Sequence, residues 1–232
     1  MEHDIEARKA FVRTHTLLAN VPLVPEIRLY TATDLTPLWR ATQAWLGTLA
    51  VDRLRALEVP FWCVPWAGGQ ALARWVLDRP ETVRGLRVVD FGAGSGLVGI
   101  ACARAGAASV RAIDVDPLAE AACLLNAEAN DVGIDFTCED VVDGVIDADI
   151  LLAGDVWYEQ AAAARFRPWL AGVVRSGVRV VTGDPCRAYV PDDLVELARL
   201  EVPTCADLES STVRTTRVLE LQTNHVRFGT QG

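Results

Sequence analysis

The chain has 232 residues, of which 51% are hydrophobic, and a formal net charge of −9 at pH 7. This length suits one domain, or one domain with an extension, and the acidic balance without a basic patch argues against nucleic acid as a partner. No apolar run has the length of a membrane span, and the first residues lack the pattern of a signal or transit peptide. We therefore expect a soluble, cytoplasmic protein without a membrane partner.

Two further features of composition bear on its surroundings. The six cysteines stand singly, and none forms a CxxC or Cys/His pair at metal-ligand spacing. We interpret them as reduced thiols of a cytosolic protein and expect no metal site. Lys9 is the only lysine among 22 basic residues, and alanine is frequent. We interpret that bias as a property of a bacterial source genome.

The first sixty residues are predicted to form an N-terminal extension (1–60), followed by a single domain over 61–232. Apolar residues at helical spacing predict a helix over 3–19, and a strand is predicted over 26–32. Thr36-Pro37 is typical of a helix start. We expect this extension to act as a lid or as a face on the substrate side.

The next segment, 60–80, combines tryptophans with the glycine pair Gly68-Gly69. A helix is predicted over 70–78, because Pro80 ends it. Trp66 stands beside the glycines, and Gln70 adds an amide, so both are candidates for the wall of a ligand site. A core position remains open for Trp66, and we expect Trp62 to be a core residue.

From residue 86 onward, predicted strands and helices alternate. The strands are predicted over 86–91, 109–114, 134–138, 148–155 and 177–184, and the helices over 96–105, 116–130, 159–174 and 191–198. Two further strands, 199–205 and 214–222, follow without a clear helix between them. The pattern predicts an α/β fold with a doubly wound, mostly parallel seven-stranded sheet and an antiparallel edge strand.

An acidic residue lies at or just after the end of each of the five predicted parallel strands. These residues are Asp90, Asp114, Asp140, Asp155 and Asp184. Because ligands of open parallel sheets bind at the carboxyl ends of the strands, we expect these carboxylates to surround one pocket. Each acid taken singly also fits the role of a helix-capping loop residue, most clearly Asp184.

The glycine-rich turn after the first parallel strand fits two kinds of cofactor. The letters from Gly94 to Gly99 match GxGxxG, and Asp114 follows about twenty residues later, as in a dinucleotide site. However, this motif does not directly follow the strand, and Asp90 adds negative charge where phosphates would approach. S-adenosylmethionine has no phosphate and carries two cationic groups, so carboxylates favour it. An NAD-dependent oxidoreductase remains a remote alternative.

With S-adenosylmethionine as the cofactor, the turn begins at Asp90 and Gly99 becomes a helix–sheet packing residue. Asp90 and Asp155 attract the cations, Asp114 accepts hydrogen bonds from the ribose hydroxyls, and Asp140 accepts one from the adenine amino group. The residues expected to bind the cofactor are Trp66, Gln70, Asp90, Phe91, Gly92, Gly94, Gly96, Asp114, Val115, Asp140 and Asp155.

Several segments resemble a known family. VVDFGAGSG, AIDVDP and GDVWYE resemble motifs of the seven-β-strand S-adenosylmethionine-dependent methyltransferases, and the DxxY of 155–158 resembles the subgroup that methylates protein lysines. PFWCVPWAGGQALARWVLD, AIDVDPLAEAACLLNAEAN, LLAGDVWYE and VTGDP resemble the lysine methyltransferases of the electron transfer flavoprotein β subunit, over about residues 24–232. The resemblance implies a Rossmann-like methyltransferase fold and S-adenosylhomocysteine as product.

The resemblance also implies catalytic roles for Asp155 and Tyr158. Asp155 would hold the incoming lysine amine by a hydrogen bond, and Tyr158 would orient the amine or pack on its stem. A carboxylate favours the charged amine, whereas desolvation by Trp66, Trp157 and Tyr158 opposes it. Tyr158 as a plain wall residue remains an alternative. So do another protein or a small amine as the acceptor, and a catalytically silent cofactor-binding protein; no oligomeric state is predicted.

Overall fold

A computed structural model of the chain describes residues 5–32, 34–46, 59–204 and 211–222. The helices are α1 (Ile5–His15), α2 (Leu35–Leu46), α3 (Ala67–Asp78), α4 (Leu97–Arg104), α5 (Pro117–Ala129) and α6 (Gln160–Arg175). The strands are β1 (Leu17–Asn20), β2 (Arg28–Thr31), β3 (Arg87–Phe91), β4 (Ser109–Asp114), β5 (Asp135–Cys138), β6 (Ile150–Gly154), β7 (Arg179–Asp184), β8 (Val195–Pro203) and β9 (Val213–Leu221). Within these ranges, no helix has both the length and the hydropathy of a transmembrane span.

Seven strands form one sheet in the order β5-β4-β3-β6-β7-β9-β8. The strands from β3 to β7 run parallel, and β9 runs antiparallel to both of its neighbours, β7 and β8. The predicted doubly wound, mostly parallel sheet is therefore confirmed, with its antiparallel pairing at one edge. The last strand of the chain lies inside that edge, and β8 is the outermost strand.

Helices cover both faces of the sheet, as its hydrophobic pattern requires. Val88 and Leu152 belong to one hydrophobic cluster, whereas their chain neighbours Val89 and Leu151 belong to another. Because successive side chains of a strand point to opposite faces, the two clusters lie on opposite sides of the sheet. The first cluster includes residues of α3 and α4, and the second includes residues of α6.

The described part of the N-terminal extension packs against α5. The Tyr30 N–H donates to Asn126 Oδ1 at 2.7 Å, and the Arg28 N–H donates to Asn130 Oδ1 at 3.0 Å. The α1 residue Val12 shares a hydrophobic cluster with Leu118 of α5. These contacts attach β2 and α1 to the sheet domain. The boundary at residue 60 and the lid role of the extension stay predictions.

Two of the predicted helices are corrected by strand pairing. The helix predicted over 3–19 ends at His15, because the residues from Leu17 onward pair antiparallel with β2. The helix predicted over 191–198 is wrong. Its second half belongs to β8, whose backbone hydrogen bonds are made to β9, the next strand along the chain. Some predicted positions lie outside the described residues. They are Cys205, at the end of the strand predicted over 199–205, and residues 1–4, 33 and 47–58 of the extension.

Candidate active site

A cavity of about 530 Å³ opens beside the carboxyl ends of the central strands. The chain leaves β3 toward β4 on one side and returns at β6 on the other, so this is the topological switch point of the sheet. The volume falls within the roughly 300–1,000 Å³ of small-molecule sites. Ten of the sequence-predicted site residues line it: Trp66, Asp90, Phe91, Gly92, Gly94, Asp114, Val115, Asp140, Asp155 and Tyr158.

The glycine turn after β3 forms one wall of the cavity and is tied to the end of β4. Gly92 and Gly94 have φ angles of +65° and +49°, a region that side chains disfavour. The Gly94 N–H donates to Asp114 Oδ2 at 2.8 Å, and the Asp116 N–H donates to Asp114 Oδ1 at 3.0 Å. Burial raises the pKa of Asp114. The carboxylate predicted to face a ribose thus also holds the turn in place.

Gly96 lies outside the cavity lining, which corrects its predicted role. A Cβ at Gly96 would stand 2.5 Å from Cys123 Sγ, so this glycine permits close packing of the turn on α5. Gly99 plays the predicted packing role. A Cβ there would stand 3.1 Å from Val110 Cγ1, and the Gly99 N–H donates to Asp90 Oδ2 at 2.8 Å. The Gly99 N–H is therefore bonded to Asp90 and is not free to bind a phosphate.

Asp90 is a buried acid at the base of the cavity. Its side chain is almost inaccessible to solvent, and its one hydrogen bond from Gly99 only partly offsets the loss of hydration. Burial raises the pKa of Asp90 to about 7, and the nearby Asp114 carboxylate adds to this rise. The Asp116 carboxyl, which caps α5, also has a pKa raised to about 7 by burial and by Asp114.

We expect the stability of the unliganded protein to depend on pH through Asp90. Its folded pKa of about 7 exceeds the ordinary value of 3.8, so the folded state binds more protons between these values. This stabilising contribution is complete at low pH and is lost as pH rises through the folded pKa. Urea unfolding at several pH values should show wild type losing stability relative to Asp90→Asn as pH rises. A pH-independent difference between the two proteins would contradict the shifted pKa.

Gln70 does not line the cavity, contrary to the sequence prediction. Its buried amide donates from Nε2 to Pro65 O at 2.7 Å and to Pro203 O at 3.2 Å. Its Oε1 accepts from the Leu23 N–H at 3.1 Å. Gln70 therefore joins the N-terminal extension, the segment before α3 and the end of β8, and its role is structural.

The glycine pair Gly68-Gly69 lies in the first turn of α3, which begins at Ala67 rather than at Gln70. The Gly69 N–H donates to Asp155 Oδ2 at 2.9 Å. The partial positive charge of a helix N-terminus stabilises a carboxylate in this position. Asp155 itself has a φ of +59°, a conformation that is uncommon for residues other than glycine and is found at functional sites.

The other oxygen of Asp155 is paired with Arg187, a residue that the sequence did not predict for the site. Arg187, after β7, places its Nη1 2.5 Å from Asp155 Oδ1 and 3.4 Å from Asp184 Oδ2. Both Arg187 and Asp155 line the cavity, whereas Asp184 is fully buried and its pKa is raised to about 6 by burial. The sequence signal was the position of Arg187 shortly after a strand end, which is weak by itself.

Aromatic side chains form one edge of the cavity. The Phe61 ring centroid lies 5.9 Å from that of Trp66 and 6.0 Å from that of Tyr158. Trp66 thus lines the cavity, which is one of its two predicted positions. Phe61 also lines it and was absent from the predicted site residues. Trp157 differs from its expected role. It is fully buried, does not line the cavity, and donates from Nε1 to Thr182 Oγ1 at 3.2 Å.

Asp140 lines the cavity but is already ion-paired. Arg165 Nη2 lies 2.7 Å from Asp140 Oδ2, and the Val142 N–H donates to Asp140 Oδ1 at 3.2 Å. A carboxylate has about four acceptor positions, so further hydrogen bonds remain open to it. The proposed contact of Asp140 with an adenine amino group would share the carboxylate with Arg165.

This cavity fits S-adenosylmethionine by its volume and by its donor and acceptor groups. Asp90, Asp114 and Asp155 are placed around it, which suits a ligand with an ammonium, a sulfonium and ribose hydroxyls. Phe91 and Val115 add apolar surface beside them. The negative charge of a pyrophosphate would meet the same three acids, which disfavours a dinucleotide.

Comparisons with known proteins agree with this geometry. A family model described as ribosomal protein L11 methyltransferase (PrmA) matches residues 72–154. The solved structure of magnesium protoporphyrin IX methyltransferase from Synechocystis PCC 6803 with bound SAM is 19% identical, with a TM-score of 0.50. It covers 82% of this chain and 97% of that chain, and at this identity the likeness concerns the fold alone.

Relatives in sequence are more specific. The electron transfer flavoprotein beta subunit lysine methyltransferase of Xenopus laevis is 37% identical over 183 residues, which are 78% of this chain and 71% of the relative. The protein of the same name from Danio rerio is 33% identical over 205 residues, 84% of this chain and 76% of the relative. By this identity and coverage, the chain belongs to the family of electron transfer flavoprotein β-subunit lysine methyltransferases.

Proposed function

We propose that this protein transfers methyl groups from S-adenosylmethionine to lysine side chains of the electron transfer flavoprotein β subunit. One observation carries the proposal. The acid and the tyrosine of the DxxY segment, Asp155 and Tyr158, line the same cavity as the glycine turn and Asp114. The names of the relatives supply the acceptor protein. Methylation of another protein or of a small amine is the alternative.

The cofactor supplies an electrophilic methyl group on a sulfonium sulfur. Asp114 is placed to accept hydrogen bonds from a ribose while it holds the Gly94 N–H. Asp90 would face the cationic groups, whereas the charge of Asp155 is balanced by Arg187, and Phe91 and Val115 supply apolar surface. Methyl transfer is an in-line displacement, so the contribution of these residues is mainly positioning and the exclusion of water.

The acceptor amine would approach past the aromatic edge of the cavity. Tyr158 and Phe61 are each about half exposed, with exposed fractions of 48%, and Trp66 lies beside Phe61. Such rings pack on the aliphatic stem of lysine and attract its cationic end. Asp155 lines the same cavity, and in this proposal its carboxylate holds the amine.

Labelling with the acceptor protein tests the proposal directly. The purified protein is incubated with methyl-labelled S-adenosylmethionine and recombinant electron transfer flavoprotein β subunit, and in parallel with a lysate of the source organism. We expect label on β-subunit lysines, identified by mass spectrometry. Label on another protein, or only on small molecules, would favour the alternative acceptors. Calorimetric titration that shows NAD binding without S-adenosylhomocysteine binding would reject a methyltransferase.

Further proposals concern the cellular setting of the protein and its N-terminal extension. The composition supports a cytoplasmic protein of a bacterium, without nucleic-acid or membrane partners. Detection of the protein in the membrane fraction of the source cells would contradict this location.

We also propose that the N-terminal extension forms part of the substrate-side face. The retention of β-subunit methylation after deletion of residues 1–16 would argue against that role.

A further inference from the structure

A partly buried ion pair lies at the proposed acceptor site. Arg187 Nη1 lies 2.5 Å from Asp155 Oδ1, and the exposed fractions of the two side chains are 19% and 12%. Because both groups are mostly withdrawn from water, their charges are weakly screened and act strongly on a third group nearby. Both also line the cavity. An incoming amine would therefore meet the pair rather than a lone carboxylate.

The position of Arg187 is determined by the loop that follows β7. The Arg187 N–H donates to Asp184 Oδ1 at 2.7 Å, and its Nη1 reaches Asp184 Oδ2 at 3.4 Å. Arg214 of β9 donates from Nη2 to Pro185 O at 3.1 Å, which ties the loop to the sheet. Cys186, which stands between Pro185 and Arg187, has a φ of +62°. The guanidinium is thus held against Asp155 by several contacts.

This arrangement addresses a chemical requirement of lysine methylation. A lysine ammonium has an unperturbed pKa of about 10.4 and carries no lone pair until it loses a proton. A lone carboxylate would favour the charged form, which cannot attack. A guanidinium paired to that carboxylate offsets its field and makes a second cation unfavourable, while the carboxylate oxygens still accept a hydrogen bond from a neutral amine.

We infer that Arg187 is a positioning residue that acts through Asp155, so that the acceptor lysine is held as a neutral amine; this rests on the proposed function. The ammonium gives one proton to water before transfer. The nitrogen lone pair then forms the N–C bond as the C–S bond breaks, the positive charge passes from sulfur to nitrogen, and the thioether product is neutral. Asp155 keeps its hydrogen bond to the amine throughout.

Other charged and titratable groups around the cavity act on the same amine. From the ends and following loops of β3, β4, β5, β6 and β7, and from α6, these groups are Asp90, Asp114, Asp116, Glu139, Asp140, Asp155, Tyr158, Arg165, Asp184 and Arg187. Arg165 is paired to Asp140, so Arg187 is the cation placed against Asp155 among the described residues.

Variants of Arg187 test the inference through a pH profile. Activity is measured as kcat at saturating β subunit, which reports ionisations within the enzyme–substrate complex, from about pH 6.5 to pH 10 for wild type, Arg187→Gln and Arg187→Lys. We expect the Arg187→Gln profile to move to higher pH by about one unit, with about tenfold lower activity near neutral pH and recovery in alkali. Arg187→Lys keeps a cation and should keep the wild-type profile.

Binding and stability distinguish this role from a structural one. S-adenosylhomocysteine affinity is measured by calorimetry and unfolding by urea. Arg167→Gln serves as the matched control, because Arg167 forms an exposed ion pair with Asp193, 3.0 Å long, outside the cavity lining. An active Arg187→Gln with an unshifted profile would overturn the inference. So would an equal loss at every pH that is matched by weaker S-adenosylhomocysteine binding.

The two levels of proposal fail in different ways. If wild type labels no lysine of any protein, the proposed function fails and the inference fails with it. If wild type labels lysines but the neutral variants keep its pH profile, only the inference fails. Should Arg187→Gln not fold, Arg187→Met provides a second neutral variant of similar length, and the comparison with Arg187→Lys is unchanged.

Discussion

Replacement of Asp155 by asparagine is expected to reduce kcat/KM for methyl transfer by at least about 100-fold, the range found when a positioned polar group acting on a reacting amine is removed. Asparagine keeps an oxygen for the Gly69 N–H, which Asp155 Oδ2 now accepts at 2.9 Å. It loses the charge that pairs with Arg187 and that faces the cofactor cations. The acceptor site then contains an excess of positive charge, which repels both the cofactor and any ammonium.

The measurement separates chemistry from folding. Initial rates with the β subunit give kcat/KM, and circular dichroism with urea unfolding reports the state of the fold. Asp193→Asn is the matched control, since Asp193 also pairs with an arginine but on the exposed surface. We expect this control to behave like wild type. An Asp155→Asn enzyme as active as the control would remove Asp155 from the mechanism.

Replacement of Gly68 by alanine is expected to destabilise the fold by about 3 kcal/mol, the upper part of the usual range for overpacking. A Cβ at Gly68 would stand 2.1 Å from Gly183 O and 2.6 Å from Asp155 Oδ2. The first atom belongs to the backbone of β7 and the second to the side chain of Asp155, the proposed catalytic residue. The Gly183 backbone cannot move without separating α3 from the end of the sheet, and the Asp155 side chain would have to shift.

A side chain at Gly183 would meet the same close contact between α3 and β7. A Cβ at Gly183 would stand 2.2 Å from Gly68 O, so the two backbones touch directly. Gly133→Ala is the control for Gly68→Ala, because a Cβ at Gly133 meets no atom within 4 Å. Urea midpoints should fall for Gly68→Ala and change little for Gly133→Ala, and activity should fall with the displaced Asp155. Equal midpoints for the two variants would show that α3 can withdraw at little cost.

Glycine thus has two different roles at this site. Gly92 and Gly94 have positive φ angles in a turn beside the cavity. Gly68 and Gly183 instead remove side chains where a helix N-terminus meets a strand end. The second role brings the Gly69 N–H to Asp155, and it explains why a glycine pair opens a helix although glycine weakens helices.

Features that depend on local pattern were predictable from the sequence. Alternation of apolar strands and helices predicted the parallel sheet, and the strand-end rule placed Asp90, Asp114 and Asp155 around one cavity, where they lie. The helix predicted over 116–130 is α5, which begins at Pro117, and the Asp116 side chain caps it by accepting from the Leu118 N–H. These predictions succeeded because chain direction in a doubly wound sheet brings successive strand ends to one edge.

Features that depend on distant partners were not predictable. The residues of β8 have a charge pattern compatible with a helix, and only pairing with β9 makes them a strand. Gln70 was a plausible cofactor ligand until its amide met backbone groups of three separate segments. The sequence by itself determined the sheet, the glycine turn and the acids at the strand ends that line the cavity. Only the tertiary structure decided that Asp155 is paired with Arg187 and held by α3, because the partners of a buried charge come from segments remote in sequence.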